Sequence, residues 1–359
     1  MPPLSRMLAG ACATLCLSIA PVEAQSNDSG YHADPIPGLT QQPVQFSNGD
    51  VHLSGTLYMP EHGDHVPAVV VFWGAQAPTR EFALYQQLAT GLPAIGVAVL
   101  VFDRRGSGQS TGNAEHQTFQ ELASDGIAAL HTLQHTPRID PKRVGFWGLS
   151  QGGWLSILAA SQTSDAAFAI ACSAPLVTPA DQMTFAVSNL FTVRNYGREA
   201  LDQALALRRT QAAYSAGHGS YEATLAATRQ ATHQHWYNDA FPRDTDELPK
   251  TTPDTAWLRV MDYDPITPLE AVRIPLLIFY GGADPWVPVA ASVARLKPIA
   301  ARKPNISYYV IANADHVLSF PVKQTMDWDK GSLENEKPES AEYFLVMASW
   351  LTRHLGLGT

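Results

Sequence analysis

A serine flanked by glycines two positions away on either side is the first group in this sequence that could do covalent chemistry. The chain reads Gly-Leu-Ser-Gln-Gly-Gly over residues 148–153, between an apolar run at 144–147 and a helix-forming run at 154–160. Glycine at these two positions lets a strand turn sharply into a helix without side-chain collisions, and such a turn exposes the serine hydroxyl at the end of the strand. The pattern predicts a nucleophile at Ser150.

A carboxylate and a histidine later in the chain could activate this serine. A hydroxyl attacks poorly unless an imidazole accepts its proton, and the imidazole needs a carboxylate that fixes its tautomer. Asp284 follows the apolar run 275–280, and His316 follows the next apolar run, 306–311. Only one other histidine, His354, lies beyond Asp284, and it belongs to a helix-forming segment, so His316 is the candidate base.

Other carboxylates compete for the role of the acid. Asp284 could instead cap the helix that follows it, in which case Asp262 or Asp264 would be the acid. Asp315 is adjacent to His316 in sequence. Because neighbouring side chains rarely face one another, we expect Asp315 to orient the loop rather than the imidazole.

The apolar runs that lead to these residues alternate with amphipathic stretches. Strands buried on both faces are almost continuously hydrophobic, and their alternation with helices builds a mostly parallel sheet. The segment 51–58 instead alternates with a period of two, which is typical of an antiparallel edge strand. Helical spacing is clear at 119–135 and 340–354. Buried strands are expected at 68–72, 97–102, 144–147, 168–172, 275–280 and 306–311.

The segment between Ala174 and Arg273 has no convincing buried strand but contains helix-forming runs at 198–214 and 221–235. We expect a helical insertion at 176–273 that covers the sheet edge, between core segments 43–175 and 274–359. Most of its aromatic side chains should pack a small core, while others could line an apolar pocket. These aromatic residues are Phe185, Phe191, Tyr196, Tyr214, Trp236, Tyr237, Phe241 and Trp257.

Three further features are expected to be structural. The segment 103–110, Asp-Arg-Arg-Gly-Ser-Gly-Gln-Ser, should form a glycine turn with Arg104 or Arg105 in a buried ion pair. Cys172 lies in an apolar run and is expected as a buried thiol. His233 and His235 have no acidic pair at ligand spacing and are expected on the surface rather than at a metal site.

These motifs resemble the α/β-hydrolase superfamily, nearest to its serine aminopeptidase-like, dienelactone hydrolase-like and acyl-CoA thioester hydrolase-like branches, over roughly residues 43–355. The order of Ser150, Asp284 and His316 is the chain order of that fold. The resemblance implies the α/β class, with a mostly parallel central sheet flanked by helices and a helical cap insertion. The other matching motifs are 103–110, Asp264-Pro265, Gly282-Ala283-Asp284 with Val287-Pro288, and Ala314-Asp315-His316.

The resemblance also implies where a tetrahedral oxyanion would be bound. Donors must already point to the position where negative charge develops. One donor is expected to be the backbone N–H of Gln151, directly after the nucleophile. The other would come from the loop after residues 68–72, where relatives commonly carry His-Gly and this chain carries Trp73-Gly74-Ala75-Gln76. The backbone N–H of Ala75 is the candidate, and Trp73 could form part of an acyl-pocket wall.

Composition limits the class of partner. A chain of 359 residues with 45% hydrophobic and 16% charged residues is typical of a compact enzyme-sized protein. The net charge of −9 disfavours a nucleic-acid partner, because binding phosphates requires clustered lysine and arginine. We expect a small acyl ester or a short peptide as substrate and neither a metal nor an organic cofactor; the oligomeric state is left open.

The first residues have the features of an export signal. Arg6 is followed by mostly apolar or small residues at 7–20, and Val22-Glu23-Ala24 offers a cleavage site after Ala24. The apolar stretch is shorter than the about 20 residues that span a bilayer, so we expect removal of residues 1–24 rather than stable membrane insertion. Residues 25–42 are expected to form a flexible leader, and the protein is expected to be secreted or periplasmic.

The sequence thus predicts an exported serine hydrolase that cleaves carboxylic esters through an acyl-enzyme. Ser150 would attack, His316 would transfer protons, Asp284 would orient the imidazole, and water would complete turnover. A serine peptidase of the aminopeptidase or acylaminoacyl-peptidase type, or a thioesterase, is the alternative within the same mechanism. A non-catalytic binding protein on the same fold is the alternative from another class.

Overall fold

The computed structural model describes residues 38–75, 78–114, 117–215, 217–241, 261–319 and 340–357. Its strands, in chain order, are β1 (Leu39–Asn48), β2 (Val51–Pro60), β3 (Val66–Phe72), β4 (Ala98–Phe102), β5 (Ile139–Leu149), β6 (Ala169–Cys172), β7 (Leu276–Gly281) and β8 (Ile306–Ile311). They form one sheet in the order β1-β2-β4-β3-β5-β6-β7-β8. The pair β1–β2 and the pair β2–β4 are antiparallel, and all the other pairs are parallel.

Helices connect the strands and flank the sheet. None of the helices in the described ranges has the length and apolar character needed to span a bilayer. The helices of the described residues are α1 (Ala83–Gly91), α2 (Phe119–Gln134), α3 (Gln151–Gln162), α4 (Pro179–Val193), α5 (Arg198–Ser215), α6 (Tyr221–Ala231), α7 (Tyr237–Ala240), α8 (Ile266–Ala271), α9 (Val289–Arg302) and α10 (Ala341–Leu355), with a 3-10 turn at Pro93–Ile95.

The sheet confirms the predicted α/β architecture and corrects it at one edge. Strand β2 is antiparallel as expected, but it is an interior strand, because β1 pairs along its whole length from Leu39 opposite Pro60 to Asn48 opposite Val51. Strand β1 therefore begins inside the segment 25–42 that the sequence predicts to be a flexible leader. Residues 1–37, including the predicted signal peptide, lie outside the described residues.

The parallel register brings the carboxyl ends of the central strands side by side. Leu149, the last residue of β5, lies opposite Cys172 of β6, and Gly281, the last residue of β7, lies opposite Ile311 of β8. Because these strands are parallel and in register, the loops that follow β5, β7 and β8 all leave from the same, carboxyl end of the sheet. These loops carry the three residues that the sequence assigns to the triad.

The predicted insertion packs a small hydrophobic cluster of its own. Helices α4 to α7 contribute to it, and it contains Phe191, Trp236, Tyr237 and Phe241, with Tyr196 packed against it. Most of the predicted cap aromatics within the described residues are thus core residues, as expected; Trp257 lies outside the described residues. Helix α8, which lies within the predicted insertion, packs against the main core through Leu269.

Candidate active site

Ser150 lies at a strained turn between β5 and α3. Its backbone has φ 56° and ψ −115°, a conformation that side-chain-bearing residues rarely adopt. The glycines on either side serve close approach instead: a Cβ on Gly148 would lie 1.9 Å from the carbonyl oxygen of Gly152, and a Cβ on Gly152 would lie 2.5 Å from the carbonyl oxygen of Phe72. The serine backbone N–H donates to the carbonyl of Cys172 at 2.8 Å. The turn at Ser150 is therefore packed against β3 through Gly152 and hydrogen-bonded to β6 through its own backbone N–H.

Asp284 and His316 are joined by a hydrogen bond. Nδ1 of His316 lies 2.8 Å from Oδ2 of Asp284. A carboxylate only accepts hydrogen bonds, so Nδ1 carries the proton and Nε2 is left as the proton acceptor. The other carboxylate oxygen, Oδ1, accepts the backbone N–H groups of Trp286 and Val287 at 2.8 and 3.0 Å. The acid is thus held by its own turn while it orients the imidazole.

The imidazole of His316 has a pKa above its ordinary value of 6.5. Burial alone would lower this pKa, because it disfavours the charged form. The negative charge and the hydrogen bond of Asp284 raise it, and the charge of Asp315 adds to their effect, so that together they outweigh the burial. The site therefore stabilises the imidazolium that forms when a nucleophile gives up its proton.

The structure shows what each candidate for the role of the acid contacts. Asp264 is occupied elsewhere, since its Oδ1 accepts from Nη2 of Arg295 at 3.0 Å, and Asp262 is exposed. Asp315 shapes the loop as expected, because its Oδ1 accepts the backbone N–H groups two and four residues further on, at 3.1 and 3.0 Å. Asp284 is the carboxylate that contacts His316.

The hydrogen bond between the Ser150 hydroxyl and the His316 imidazole, which proton transfer requires, remains a prediction. Ser150 is a half-buried residue, and its hydroxyl forms no hydrogen bond with any described side chain. Catalytic hydrogen bonds are often long in proteins without bound substrate and shorten when the substrate arrives. The backbone register, which places the three loops above one edge, supports the assignment.

The two predicted oxyanion segments lie next to each other. The loop after β3 packs on the turn at Ser150, with the carbonyl oxygens of Phe72 and Trp73 close to Gly152. Gln151 is the first residue of α3, so its backbone N–H has no partner within the helix. Nη1 of Arg104 lies 3.3 Å from both the carbonyl oxygen of Ala75 and Oε1 of Gln151. The sequence pattern of residues 103–110 does not indicate that Arg104 lies at this site.

Trp73 is not part of a pocket wall. Its side chain is fully buried, its indole N–H donates to the carbonyl of Phe102, and its ring packs edge-on against the rings of Phe72 and Phe102. A residue that lines an acyl pocket must be reachable by substrate, so this sequence-based possibility is wrong. The large ring instead fills the core beneath the loop that carries Ala75.

The remaining structural expectations are confirmed. Arg105 forms a bidentate ion pair with the buried Asp125: its Nε and Nη2 each lie 2.7 Å from a carboxylate oxygen. Cys172 is completely buried. His233 and His235 are exposed.

Comparison with known proteins identifies the family. The sequence matches the family described as "Hydrolase_4: Serine aminopeptidase, S33" over residues 67–320. It is 31% identical over 142 residues to the thiohydrolase apmlB of Arthrinium phaeospermum, which covers 39% of this chain and 45% of that protein. It is 36% identical over 111 residues to the quorum-quenching protein AidA of Acinetobacter baumannii, covering 31% of this chain and 36% of that protein. The chain thus aligns with less than half the length of these relatives.

The fold also has a counterpart among solved structures. The Pyrococcus furiosus esterase Pf2001 superposes with a TM-score of 0.57 over 89% of this chain and 92% of that chain, at 16% sequence identity. At this level of identity the likeness concerns the fold. The family match over more than half of the chain agrees with the sheet order, the strained serine and the Asp284–His316 pair. This chain belongs to the serine aminopeptidase S33 family of the α/β-hydrolase superfamily.

Proposed function

We propose that this protein is a serine hydrolase that cleaves carboxylic esters through an acyl-enzyme. The observation that carries the proposal is the 2.8 Å contact between Asp284 and His316, in loops that leave from the same end of the sheet as the strained turn of Ser150. In this mechanism His316 removes the proton of the hydroxyl as Ser150 attacks, and it returns that proton to the leaving group. Water then attacks the acyl-enzyme with the same imidazole as base.

The oxyanion that forms at each attack would be bound by the backbone N–H groups of Ala75 and Gln151. Removing one such donor typically costs a factor of about 10² to 10³ in kcat. Their placement in adjacent segments, both contacted by Arg104, supports this part of the proposal.

Two related reactions follow the same steps with a different leaving group. The description of the family favours a peptidase, and the thiohydrolase among the relatives favours a thioesterase. Turnover of a p-nitrophenyl ester, an aminoacyl p-nitroanilide and an acyl thioester separates the three. Ester turnover that exceeds the other two supports the proposal, and anilide turnover above ester turnover would make the protein a peptidase.

A fluorophosphonate probe tests the nucleophile itself. We expect the purified protein to be labelled and the variant Ser150→Ala to remain unlabelled. Ser173→Ala is a matched control, because Ser173 directly follows the neighbouring strand β6, also has a positive φ of 49°, and is fully buried. Labelling of Ser150→Ala at the wild-type level, or no labelling of the wild type, would contradict the proposal.

We also propose that the protein is exported. The proposal rests on the pattern of Arg6, the apolar residues 7–20 and the small residues before Gln25. Amino-terminal sequencing of the protein recovered from a periplasmic or culture fraction should begin at Gln25. Recovery in the cytoplasm with residues 1–24 intact would contradict it.

A further inference from the structure

Arg104 and Arg105 are neighbours in sequence but serve different parts of the molecule. Arg105 reaches into the core, where it pairs with the buried Asp125. Arg104 reaches to the carboxyl edge of the sheet, where its guanidinium lies between the loop after β3 and the start of α3. One short segment after β4 thus stabilises the core and contacts the candidate active site.

The contacts of Arg104 involve both of the residues whose backbone N–H groups are the candidate oxyanion donors. The same nitrogen, Nη1, lies 3.3 Å from the carbonyl oxygen of Ala75 and 3.3 Å from Oε1 of Gln151. The backbone N–H of Arg104 also donates to the carbonyl of Pro78 at 2.8 Å, so its main chain holds the same loop. Arg104 therefore joins two segments that are more than seventy residues apart in the chain.

The peptide unit that carries the Ala75 N–H is held from both sides. The preceding peptide is fixed because Gly74 N–H donates to the hydroxyl of Tyr85 at 2.8 Å. The following peptide is fixed because the Ala75 carbonyl accepts from Arg104. With both neighbouring peptides held, the Ala75 N–H has little freedom to rotate. Preorganisation of this kind determines how much a donor contributes, because a donor that must turn during the reaction loses part of its effect.

Tyr85 gives this arrangement a neutral, buried anchor. Burial raises the pKa of the Tyr85 hydroxyl well above its ordinary value, against the opposing effects of the Gly74 hydrogen bond and the charge of Arg104. The phenol therefore stays protonated at any pH at which the enzyme would work. The group that transfers protons in the proposed reaction is therefore the imidazole of His316 and not the phenol of Tyr85.

We propose that Arg104 is a positioning residue that sets the distance and orientation of the two oxyanion-binding segments. This inference rests on the proposed function, because it concerns the oxyanion that the ester reaction would form. The guanidinium acts through Ala75 and Gln151 and need not touch the substrate. Its planar fork donates in fixed directions, which the single ammonium group of lysine does not.

The variants Arg104→Met and Arg104→Lys test the proposal. Methionine retains much of the length of the side chain without charge or donors, and lysine retains the charge without the fork. We expect Arg104→Met to lower kcat for p-nitrophenyl butyrate by about 10- to 100-fold with little change in KM, a fraction of the loss of a whole donor. Arg104→Lys should recover only part of that loss.

A transition-state analogue separates positioning from general loss of structure. A trifluoromethyl ketone forms a tetrahedral adduct with the serine, and its oxygen needs the same donors. Its inhibition constant should weaken by the same factor by which kcat/KM falls, whereas a reversible substrate-like amide should bind unchanged. Rates are referred to the concentration of sites labelled by the fluorophosphonate, so that unfolded protein does not enter the comparison.

Arg138→Met is the matched control. Arg138 also donates to backbone carbonyls, those of Gly63, Pro60 and Glu61. It precedes the first residue of β5, at the end of the strand opposite to the serine. Ile139 and Gly148 of β5 pair with Val66 and Phe72 of β3, so the two ends are about 20 Å apart. We expect this variant to change the melting temperature without changing kcat per labelled site.

Gln151→Ala combined with Arg104→Met tests the route of the effect. If Arg104 acts through the Gln151 side chain, the two losses in kcat should not add. The inference fails if wild-type protein turns over esters and Arg104→Met does so at the same rate per labelled site, or if the analogue binds both equally. Failure of the proposed function itself looks different, because then the wild type shows neither turnover nor labelling.

Discussion

Asp284 divides its carboxylate between two tasks: Oδ2 accepts from Nδ1 of His316, while Oδ1 accepts the backbone N–H groups of Trp286 and Val287. The acid therefore cannot rotate away from the imidazole without losing the bonds of its own turn. An amide at this position would keep the shape of the turn but could present an N–H to the histidine, which would favour the wrong tautomer. One oxygen of the carboxylate therefore orients the imidazole, and the other stabilises the turn.

The variant Asp284→Asn should lower kcat for an ester substrate by about 10³- to 10⁴-fold and leave KM within a few-fold of the wild type. The measurement is steady-state hydrolysis of a p-nitrophenyl ester, with folding checked by thermal unfolding. Asp264→Asn is the control, since Asp264 pairs with Arg295 and not with His316. A loss of similar size in both variants would mean that Asp284 does not orient the base.

The pH dependence of kcat/KM should show an acid limb above pH 6.5. His316 must be neutral to accept a proton, and its pKa is raised, so activity falls as the pH drops through that raised value. In Asp284→Asn the limb should move to lower pH, because the charge and hydrogen bond that raise the pKa are gone. A limb in the wild type at or below the value for free histidine would contradict the assignment.

The raised pKa of His316 affects stability in the opposite direction from activity: it stabilises the folded protein at low pH. A group whose pKa is higher in the folded than in the unfolded protein stabilises the fold fully below the unfolded pKa, and this contribution is lost as the pH rises through the folded pKa. His316→Gln should therefore flatten the dependence of the free energy of unfolding on pH in the window just above pH 6.5. Urea unfolding at several pH values measures this, and an unchanged slope in the variant would contradict it.

Gly152→Ala should prevent stable folding or lower the free energy of unfolding by about 4 kcal/mol or more, because its Cβ would meet the Phe72 carbonyl oxygen at 2.5 Å. Backbone at this point cannot yield without moving the central strand. Gly197→Ala is the control, since a Cβ at Gly197 would meet nothing within 4 Å, and its effect should stay within about 0.5 kcal/mol. Chemical denaturation compares them, and equal stability of both variants would show that the turn tolerates a side chain.

Phe185 is expected to influence which acyl chains the protein accepts. On α4 it is three residues from Gln182, which donates to the Trp286 carbonyl at 2.9 Å, and four from Asn189, which donates to the Pro285 carbonyl at 2.8 Å. This spacing puts Phe185 on the helix face that contacts the loop of the acid. The ring is half-buried and belongs to neither hydrophobic cluster of the described residues.

Phe185→Ala should therefore shift the preference among p-nitrophenyl esters towards longer acyl chains, with a stability loss of less than about 1 kcal/mol. Phe191→Ala is the contrasting control: Phe191 is buried in the cap cluster, and its truncation should cost about 3–5 kcal/mol. An unchanged chain-length profile in Phe185→Ala would place Phe185 away from the bound substrate.

The parts of the fold that bury apolar side chains on both sides are predictable from the sequence. Strand β7 is buried at every position, and its hydrophobic run shows this directly. Strand β1 is different, because of its ten residues only Val44 and Phe46 are buried. Its polar composition is typical of a loop, and it becomes a strand because β2 offers backbone partners along its whole length.

The candidate triad is predictable for a related reason: its members follow apolar strands that lie parallel, so that all three loops leave from one end of the sheet. The expectation of a buried strand at 306–311 is wrong, however, because β8 is an edge strand of which only Ile306 and Ile311 are buried. The role of Arg104 is not predictable in this way. Arg104 and Arg105 have the same chemistry and adjacent positions, and the direction of each side chain depends on the turn after β4. Likewise, Trp73 has a large aromatic side chain of the kind that lines pockets, and only its packing against Phe102 shows that it is a core residue.

His316 extends from the loop after β8, one of the two edge strands of the described sheet, whereas Ser150 follows β5, which has neighbours on both sides. Outer strands open more readily than central ones, because fewer backbone bonds must break. Mild denaturant should therefore abolish activity by unfolding β8 locally and displacing His316, while most of the molecule stays folded. Enzymatic inactivation would then precede the spectroscopic transition and would be rapidly reversible on dilution.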